Sequence, residues 1–144
     1  MFVRRKTRRI GLIMLLAVLV GTVASAYLKD YAVERERPDL EYLGSELPIK
    51  IEGDTTVLGG QGSFPSGHVI RASVIAFVLG YVISDRFPRG WILLWIFPAC
   101  MALSRVYLLQ HYPMDVLGGI LFGIIIAGIL SSKLKLPKMD NSKI

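Results

Sequence analysis

Four long apolar runs constrain the fold of this chain more than any other feature. They cover residues 10–28, 67–84, 91–109 and 115–132, and the few charges inside them lie near their ends. A helix needs about 20 apolar residues to cross a bilayer, and only helices satisfy the backbone of a single spanning segment in lipid. The sequence therefore predicts an all-α integral membrane bundle of four transmembrane helices. We expect residues 1–144 to form one domain, with residues 29–65 as its one long loop.

The charges outside these runs are divided by sign. Eleven of the 17 basic residues precede the first run, lie between the second and third, or follow the fourth. Eight of the 11 acidic residues lie between Asp30 and Asp54. Because basic segments stay on the cytoplasmic side of a membrane, we expect cytoplasmic termini and an outer loop over residues 29–65. The basic termini are suited to anionic lipid headgroups, and we expect no nucleic-acid partner.

Three local features affect this topology. Pro98 predicts a kink in the third run. Ala24-Ser25-Ala26, after a basic start and an apolar run, resembles the cleavage site of a leader peptide. The run is long for a leader and its removal would leave three spans, so we expect a retained helix. The single cysteine, Cys100, cannot form an intramolecular disulfide, and we expect it to be a buried apolar residue.

Three short polar runs interrupt the apolar pattern at the ends of the predicted spans. They are Lys29…Arg37-Pro38, Pro65-Ser66-Gly67-His68, and Ser104-Arg105 with His111 and Asp115. The predicted topology places all three on the outer side of the membrane. Ionisable groups at this boundary are energetically expensive and usually functional.

The Pro-Ser-Gly-His run opens the second predicted helix. Ser66 is a good N-cap residue, and Gly67 allows a ligand to approach the backbone closely. The free N–H groups and the dipole of a helix N-terminus favour an anion, beside which His68 would lie. The alternative is an ordinary helix cap followed by an interfacial histidine.

The third polar run combines a cation, an imidazole and a carboxylate. Asp115 falls in the first turn of the fourth helix and can reach back to His111, where it would fix the tautomer and make the other ring nitrogen a better nucleophile. Arg105 can donate two hydrogen bonds to phosphate oxygens. Alternatively, Asp115 only complements the helix dipole, and Arg105 only extends to the headgroups.

Lys29 and Arg37 gain meaning from the other two runs. Alone, Lys29 would mark the membrane boundary and Arg37 would be a solvated loop residue. Three runs that meet on one face, with cations, imidazoles and a carboxylate, instead favour a site that binds a phosphoryl group and transfers it through a histidine.

These runs resemble the motifs of the type 2 phosphatidic acid phosphatase (PAP2) superfamily, which are Lys-x6-Arg-Pro, Pro-Ser-Gly-His and Ser-Arg-x5-His-x3-Asp. The second and third are intact here, whereas seven residues separate Lys29 from Arg37. A bulge or a looser turn would absorb the extra residue. The resemblance covers roughly residue 28 to the end of the fourth run.

The resemblance implies a mechanism that uses no metal or cofactor. His111 would attack phosphorus, Asp115 would orient its ring, and His68 would protonate the leaving oxygen and then activate water. The phosphate oxygens would be held by Lys29, Arg37, Ser66, Gly67 and Arg105. Arg71, one turn after His68, is a further candidate for binding this phosphate or the second phosphate of a diphosphate.

We therefore expect a multi-pass cell-membrane phosphatase with an extracytoplasmic site, acting on a lipid phosphate or diphosphate. A polyprenyl diphosphate is preferred because Arg71 is a spare cation; phosphatidic acid and phosphatidylglycerol phosphate are alternatives. A vanadate-dependent haloperoxidase and a non-catalytic lipid-binding protein are further alternatives. Related membrane enzymes commonly have six spans, so a homodimer could replace the missing cover. Gly119 and Gly123 offer a close-packing face for a dimer or for packing within the chain.

Overall fold

The computed structural model describes residues 2–32 and 62–139, and all regular elements in this part of the chain are helices. Most of the predicted outer loop, including Arg37, lies outside the described residues. The all-α prediction is confirmed for the described part. The elements are α1 (Phe2–Tyr27), which continues into a π-helical turn (Leu28–Ala32), α2 (Gly67–Ile83), α3 (Gly90–Leu93), α4 (Ile96–Tyr107) and α5 (Pro113–Lys133).

Three helical segments are long and apolar enough to cross a membrane. They are Arg5–Tyr31, Gly90–Tyr107 and Pro113–Lys133. The second predicted span corresponds to α2, whose 17 residues make it shorter than the other three. At 1.5 Å per residue, α2 is about 25 Å long, close to the thickness of the hydrocarbon core, about 30 Å. Its crossing of the membrane stays a prediction.

The third predicted span is broken into α3 and α4. Pro98 has no N–H to donate to the carbonyl of Leu94, four residues earlier. That carbonyl instead accepts a hydrogen bond from the Phe97 N–H at 3.3 Å. The missing bond explains why the helix is interrupted at residues 94–95, one turn before the proline at which we expected the kink.

α2 lies at the centre of the bundle. Ten of its 17 residues are buried, and it contacts each of the other helices. The main core consists of the buried side chains of Ile13, Ala17, Ile70, Val74, Val78, Val82, Ala127 and Leu136. α2 therefore carries both the core and, at its N-terminus, the Pro-Ser-Gly-His run.

Gly119 and Gly123 allow α5 to approach α2 closely. A Cβ atom at Gly119 would lie 2.9 Å from the carbonyl oxygen of Ser66, and one at Gly123 would lie 2.6 Å from Cβ of Ser73. These two glycines therefore serve packing within the chain, and a homodimer would need a different face.

The outer surface of the bundle is apolar. Leu15 and Val23 on α1, and Leu121 and Ile125 on α5, are each more than half exposed. Such a surface is that of a membrane protein, since lipid tails cover it without loss. Cys100 is also exposed on this surface, so the prediction that it is buried was wrong. It falls on the outward side of α4, where a small apolar residue can face lipid.

The two ends of the bundle differ in character. At one end, Arg9 Nη2 donates to the carbonyl of Leu134 at 2.8 Å, and Lys138 Nζ lies 2.8 Å from Asp85 Oδ1. The hydrogen bond to Asp85 raises the pKa of Lys138 above its usual 10.5. This end thus gathers the start of α1, the turn after α2 and the residues after α5. The described parts of the three polar runs lie at the other end.

Candidate active site

One buried stripe of α1 leads to the polar end. It consists of residues at four-residue spacing, Ile13, Ala17, Gly21, Ser25 and Lys29, which are all buried. The stripe is apolar towards the N-terminus of α1, which is the basic end of the bundle, and polar towards the C-terminus of this helix. Lys29 is only 9% exposed and lies in the π-helical turn. A π-helical turn holds more residues than an α-helical one. Residues 33–37, which complete the first motif, lie outside the described residues, so the looser turn expected to absorb its extra residue stays a prediction.

The Pro-Ser-Gly-His run forms the turn that starts α2. Ser66 occupies the N-cap position, but its side chain makes no capping hydrogen bond. Its Oγ is buried and has no hydrogen-bond partner within the described residues. His68 follows in the first turn and is partly buried. A buried hydroxyl without a partner is costly, which is consistent with a site for a ligand oxygen.

A backbone hydrogen bond joins this turn to the start of α5. The Ser66 N–H donates to the carbonyl of Asp115 at 3.0 Å. Gly119, one turn further along α5, brings that helix against the carbonyl of Ser66. The second and third polar runs therefore meet, as the sequence predicts.

His111 is held by a contact that the sequence does not reveal. Its ring is 4% exposed, and its Nδ1 lies 2.7 Å from the carbonyl oxygen of Ser63. A carbonyl can only accept, so the hydrogen of this contact is on Nδ1. No pattern of side chains could indicate this backbone acceptor.

Asp115 has two roles at the start of α5. Its Oδ2 accepts a hydrogen bond from the Tyr112 N–H at 2.8 Å and lies 3.7 Å from Nδ1 of His111. The carboxylate is fully buried. Both interpretations of Asp115 therefore have support, because it caps the helix and places a negative charge beside the imidazole.

Arg105 is tied to the residue before His111. It lies in the last turn of α4, and its Nη1 donates to Oε1 of Gln110. Its Nε is buried without a hydrogen-bond partner in the described part of the chain. Leu109, with a φ of 54°, turns the backbone between these two residues. The sequence analysis missed the contact between Gln110 and Arg105. The polar residue next to His111 was a signal that could have indicated it.

Arg71 and Ser25 lie on the α1 side of the Gly67 turn. A Cβ atom at Gly67 would be 3.0 Å from Ser25 Oγ and 3.9 Å from Arg71 Nη1. Ser25 was absent from the predicted site and was considered only as part of a leader cleavage site. Arg71 extends back along α2 to the turn, as its spacing predicts.

The described part of this end is rich in cations. Lys29, Arg71 and Arg105 approach it from α1, α2 and α4, while Asp115 is the buried carboxylate among them. Within residues 2–32 and 62–139, no three His, Cys, Asp or Glu side chains are grouped as metal ligands would be. The arrangement is suited to a polyanion bound beside an imidazole.

The similarity of this chain to known proteins agrees with these motifs. It is 32% identical over 133 residues to phosphatidylglycerophosphatase B of Bacillus subtilis, covering 88% of this chain and 58% of that protein. It is 33% identical over 119 residues to sphingosine-1-phosphate phosphatase 2 of Homo sapiens, covering 80% and 27%. It is 29% identical over 123 residues to undecaprenyl-diphosphatase of Sulfolobus acidocaldarius, covering 83% and 52%.

The chain spans only part of each of these relatives. It covers 27–58% of the length of the three proteins. No solved structure matches it. The family model of the PAP2 superfamily matches residues 9–136, which include every described residue of the three polar runs. The chain therefore belongs to the PAP2 superfamily.

Proposed function

We propose that this protein is a membrane phosphatase that hydrolyses a lipid phosphate monoester or a polyprenyl diphosphate through a phosphohistidine. The observation that carries the proposal is the setting of His111. Its Nδ1 lies 2.7 Å from the Ser63 carbonyl and carries the hydrogen of that contact, so Nε2 is the nitrogen that would attack phosphorus. Asp115, 3.7 Å from Nδ1, would stabilise the positive charge that develops on the ring.

The reaction has two steps in this proposal. The Nε2 lone pair of His111 attacks phosphorus, the bond from phosphorus to the leaving oxygen breaks, and His68 donates a proton to that oxygen. His68 then takes a proton from water, whose oxygen attacks the phosphohistidine. The phosphorus–nitrogen bond breaks, the electron pair of that bond returns to Nε2, and inorganic phosphate leaves.

The cations would supply the charge neutralisation that other phosphatases obtain from metal ions. Arg105 Nε is a buried donor without a partner in the described part of the chain, and it would donate to a phosphate oxygen. Lys29 and the predicted binding residue Arg37 would add further positive charge, and the Ser66 hydroxyl and Gly67 N–H would bind the same oxygens. On this basis we propose that turnover is independent of metal.

We propose that the site faces the outside of the cell membrane. The end that holds Arg9, Asp85 and Lys138 is rich in basic residues, and the positive-inside rule assigns it to the cytoplasm. The site lies at the opposite end. This orientation requires α2 to cross the membrane as a fourth span, with both termini cytoplasmic.

The substrate class is chosen from the charge of the site. A polyprenyl diphosphate carries two phosphates, and Arg71 is a cation beyond those required for one. Among the relatives, one is named for a prenyl diphosphate and another for phosphatidylglycerophosphate. Phosphatidic acid and phosphatidylglycerol phosphate are therefore the competing substrates for a test panel.

Phosphate release by the full-length protein in detergent tests this function. We expect wild type to release phosphate from at least one lipid phosphate or diphosphate, to retain activity in EDTA, and to yield an acid-labile phosphoenzyme. His111→Ala should lose both turnover and the phosphoenzyme. Arg86→Gln, at the opposite end, is the matched control and should retain both.

Each component of the proposal has its own contradicting result. Full activity of His111→Ala would exclude the phosphohistidine. Strong inhibition by EDTA would exclude metal independence. Lipid binding without phosphate release from any member of the panel would instead indicate a non-catalytic lipid-binding protein.

A further inference from the structure

Arg71 places its guanidinium beside the N-terminus of its own helix. Its side chain extends back along α2, so that Nη1 lies 3.9 Å from where a Cβ of Gly67 would be, at the first residue of the helix. The N-terminus of a helix carries a partial positive charge of about half a unit. A guanidinium placed there is repelled unless an anion lies beside it.

Among the described residues, no carboxylate is paired with this guanidinium. Arg71 makes no ion pair or hydrogen bond with any residue in ranges 2–32 and 62–139. Asp115, the buried carboxylate of this end, has its Oδ2 committed to the Tyr112 N–H and the edge of the His111 ring. The repulsion would be relieved by a bound anion.

Ser25 contacts the same turn from α1. It is 4% exposed, and its Oγ lies 3.0 Å from the Cβ position of Gly67. A Cβ atom at Gly67 would be in tight contact with Ser25, and glycine avoids this contact. Ser25 lies one turn before Lys29 on the buried stripe of α1.

We propose that Ser25 and Arg71 form a second anion subsite beside the Gly67 turn, which binds the lipid-linked phosphate of a diphosphate substrate. This proposal rests on the proposed function. The terminal phosphate would lie at His111, and the bond from its phosphorus to the bridging oxygen would break. The departing lipid monophosphate keeps the electron pair, and Arg71 neutralises its charge. Arg71 thereby selects diphosphates over monophosphates.

A pair of substrates with the same prenyl chain tests the subsite. The value of kcat/KM is measured for the prenyl diphosphate and the prenyl monophosphate, with full-length wild type, Arg71→Gln, Arg71→Lys and Ser25→Ala. We expect Arg71→Gln to lower kcat/KM for the diphosphate by about 10- to 100-fold, the effect of one lost charge-assisted hydrogen bond. The loss for the monophosphate should be at least about tenfold smaller.

Two further variants test the contributions of the Arg71 charge and the Ser25 hydroxyl to kcat/KM for the diphosphate. Arg71→Lys should recover part of the diphosphate activity, because it keeps the charge but not the paired donors. Ser25→Ala should lower the diphosphate value several-fold in the same selective way. The control is Arg89→Gln, in the turn at the opposite end of α2, which should leave the ratio of the two kcat/KM values unchanged.

Inhibition of wild type by inorganic pyrophosphate and by inorganic phosphate provides a measurement that does not depend on the variants folding. We expect pyrophosphate to inhibit at a lower concentration than phosphate. Equal inhibition by pyrophosphate and phosphate would overturn the subsite alone. So would an Arg71→Gln variant in which kcat/KM falls equally for the diphosphate and the monophosphate while wild type stays active. A wild type that releases phosphate from neither prenyl substrate nor any other lipid phosphate would overturn the proposed function itself.

Discussion

Adding a methyl group to α5 measures how closely this helix must approach α2. In Gly123→Ala, the new Cβ would lie 2.6 Å from Ser73 Cβ and 2.9 Å from the Ile70 carbonyl oxygen. Carbon atoms in contact normally lie about 3.5–4.0 Å apart. The two helices must therefore separate by up to about 1 Å along their tightest contact. Overpacking of this kind costs about 1–3 kcal/mol of folding stability. We expect Gly123→Ala to lie toward the upper end of this range, because the backbone carbonyl of Ile70 cannot rotate away as a side chain can.

Gly119→Ala applies the same perturbation closer to the active site. Its Cβ would lie 2.9 Å from the Ser66 carbonyl oxygen, in the turn whose N–H bonds to Asp115. The expected loss of stability is about 1–2 kcal/mol, because the overlaps are smaller. Activity should fall further than in Gly123→Ala, since the displaced atoms belong to the phosphate-binding turn.

Unfolding by SDS in mixed micelles, followed by tryptophan fluorescence, gives the free energies. Gly128→Ala is the matched control on the same helix, because its Cβ would be in ordinary contact, 3.8 Å from Phe77 Cζ. It should change stability by less than about 1 kcal/mol. Adding Ser73→Gly to Gly123→Ala should restore part of the loss. If Gly119→Ala and Gly123→Ala are as stable as Gly128→Ala, the close approach of α2 and α5 is refuted.

Three other substitutions probe single contacts. Gln110→Ala releases Nη1 of Arg105, so kcat/KM for lipid phosphate should fall about tenfold in steady-state assays, with unfolding unchanged; an unaltered kcat/KM contradicts this role. Asp115→Asn removes the charge beside His111 and should lower kcat by at least about 100-fold; a wild-type burst of phosphoenzyme contradicts it. Asp85 raises the pKa of Lys138 above 10.5, so the pair stabilises the fold below that pH. The small difference in melting temperature between wild type and Lys138→Gln should vanish above the raised pKa; a difference that persists there contradicts the pairing.

The helices were predictable to different degrees. α1 and α5 follow from long uncharged runs, because a segment of that length in lipid has no alternative to a helix. The interruption at residues 94–95 was predicted only approximately, since a proline removes a bond to a carbonyl four residues upstream. The exposure of Cys100 was missed because composition does not distinguish a side chain facing lipid from one facing another helix.

The candidate site was predictable where it depends on side chains with a motif. His111 was found this way, and Arg71 was found from its position one turn after His68; the structure places each at the polar end. Ser63 was missed because it acts through its carbonyl, which every residue possesses. Ser25 was missed because a serine in an apolar run gives no sign of its neighbour until α1 and α2 are packed together.

The sequence by itself determined a helical membrane chain with its polar groups at the ends of apolar runs, because lipid excludes any other backbone and penalises charge within it. Tertiary structure decided through which atoms these groups make contact. The approach of α5 to α2 through Gly119 joins Ser66 to Asp115, and the packing of α1 brings Ser25 to Gly67. Those contacts depend on the distances between helix axes, which are set by the sizes of side chains on facing surfaces.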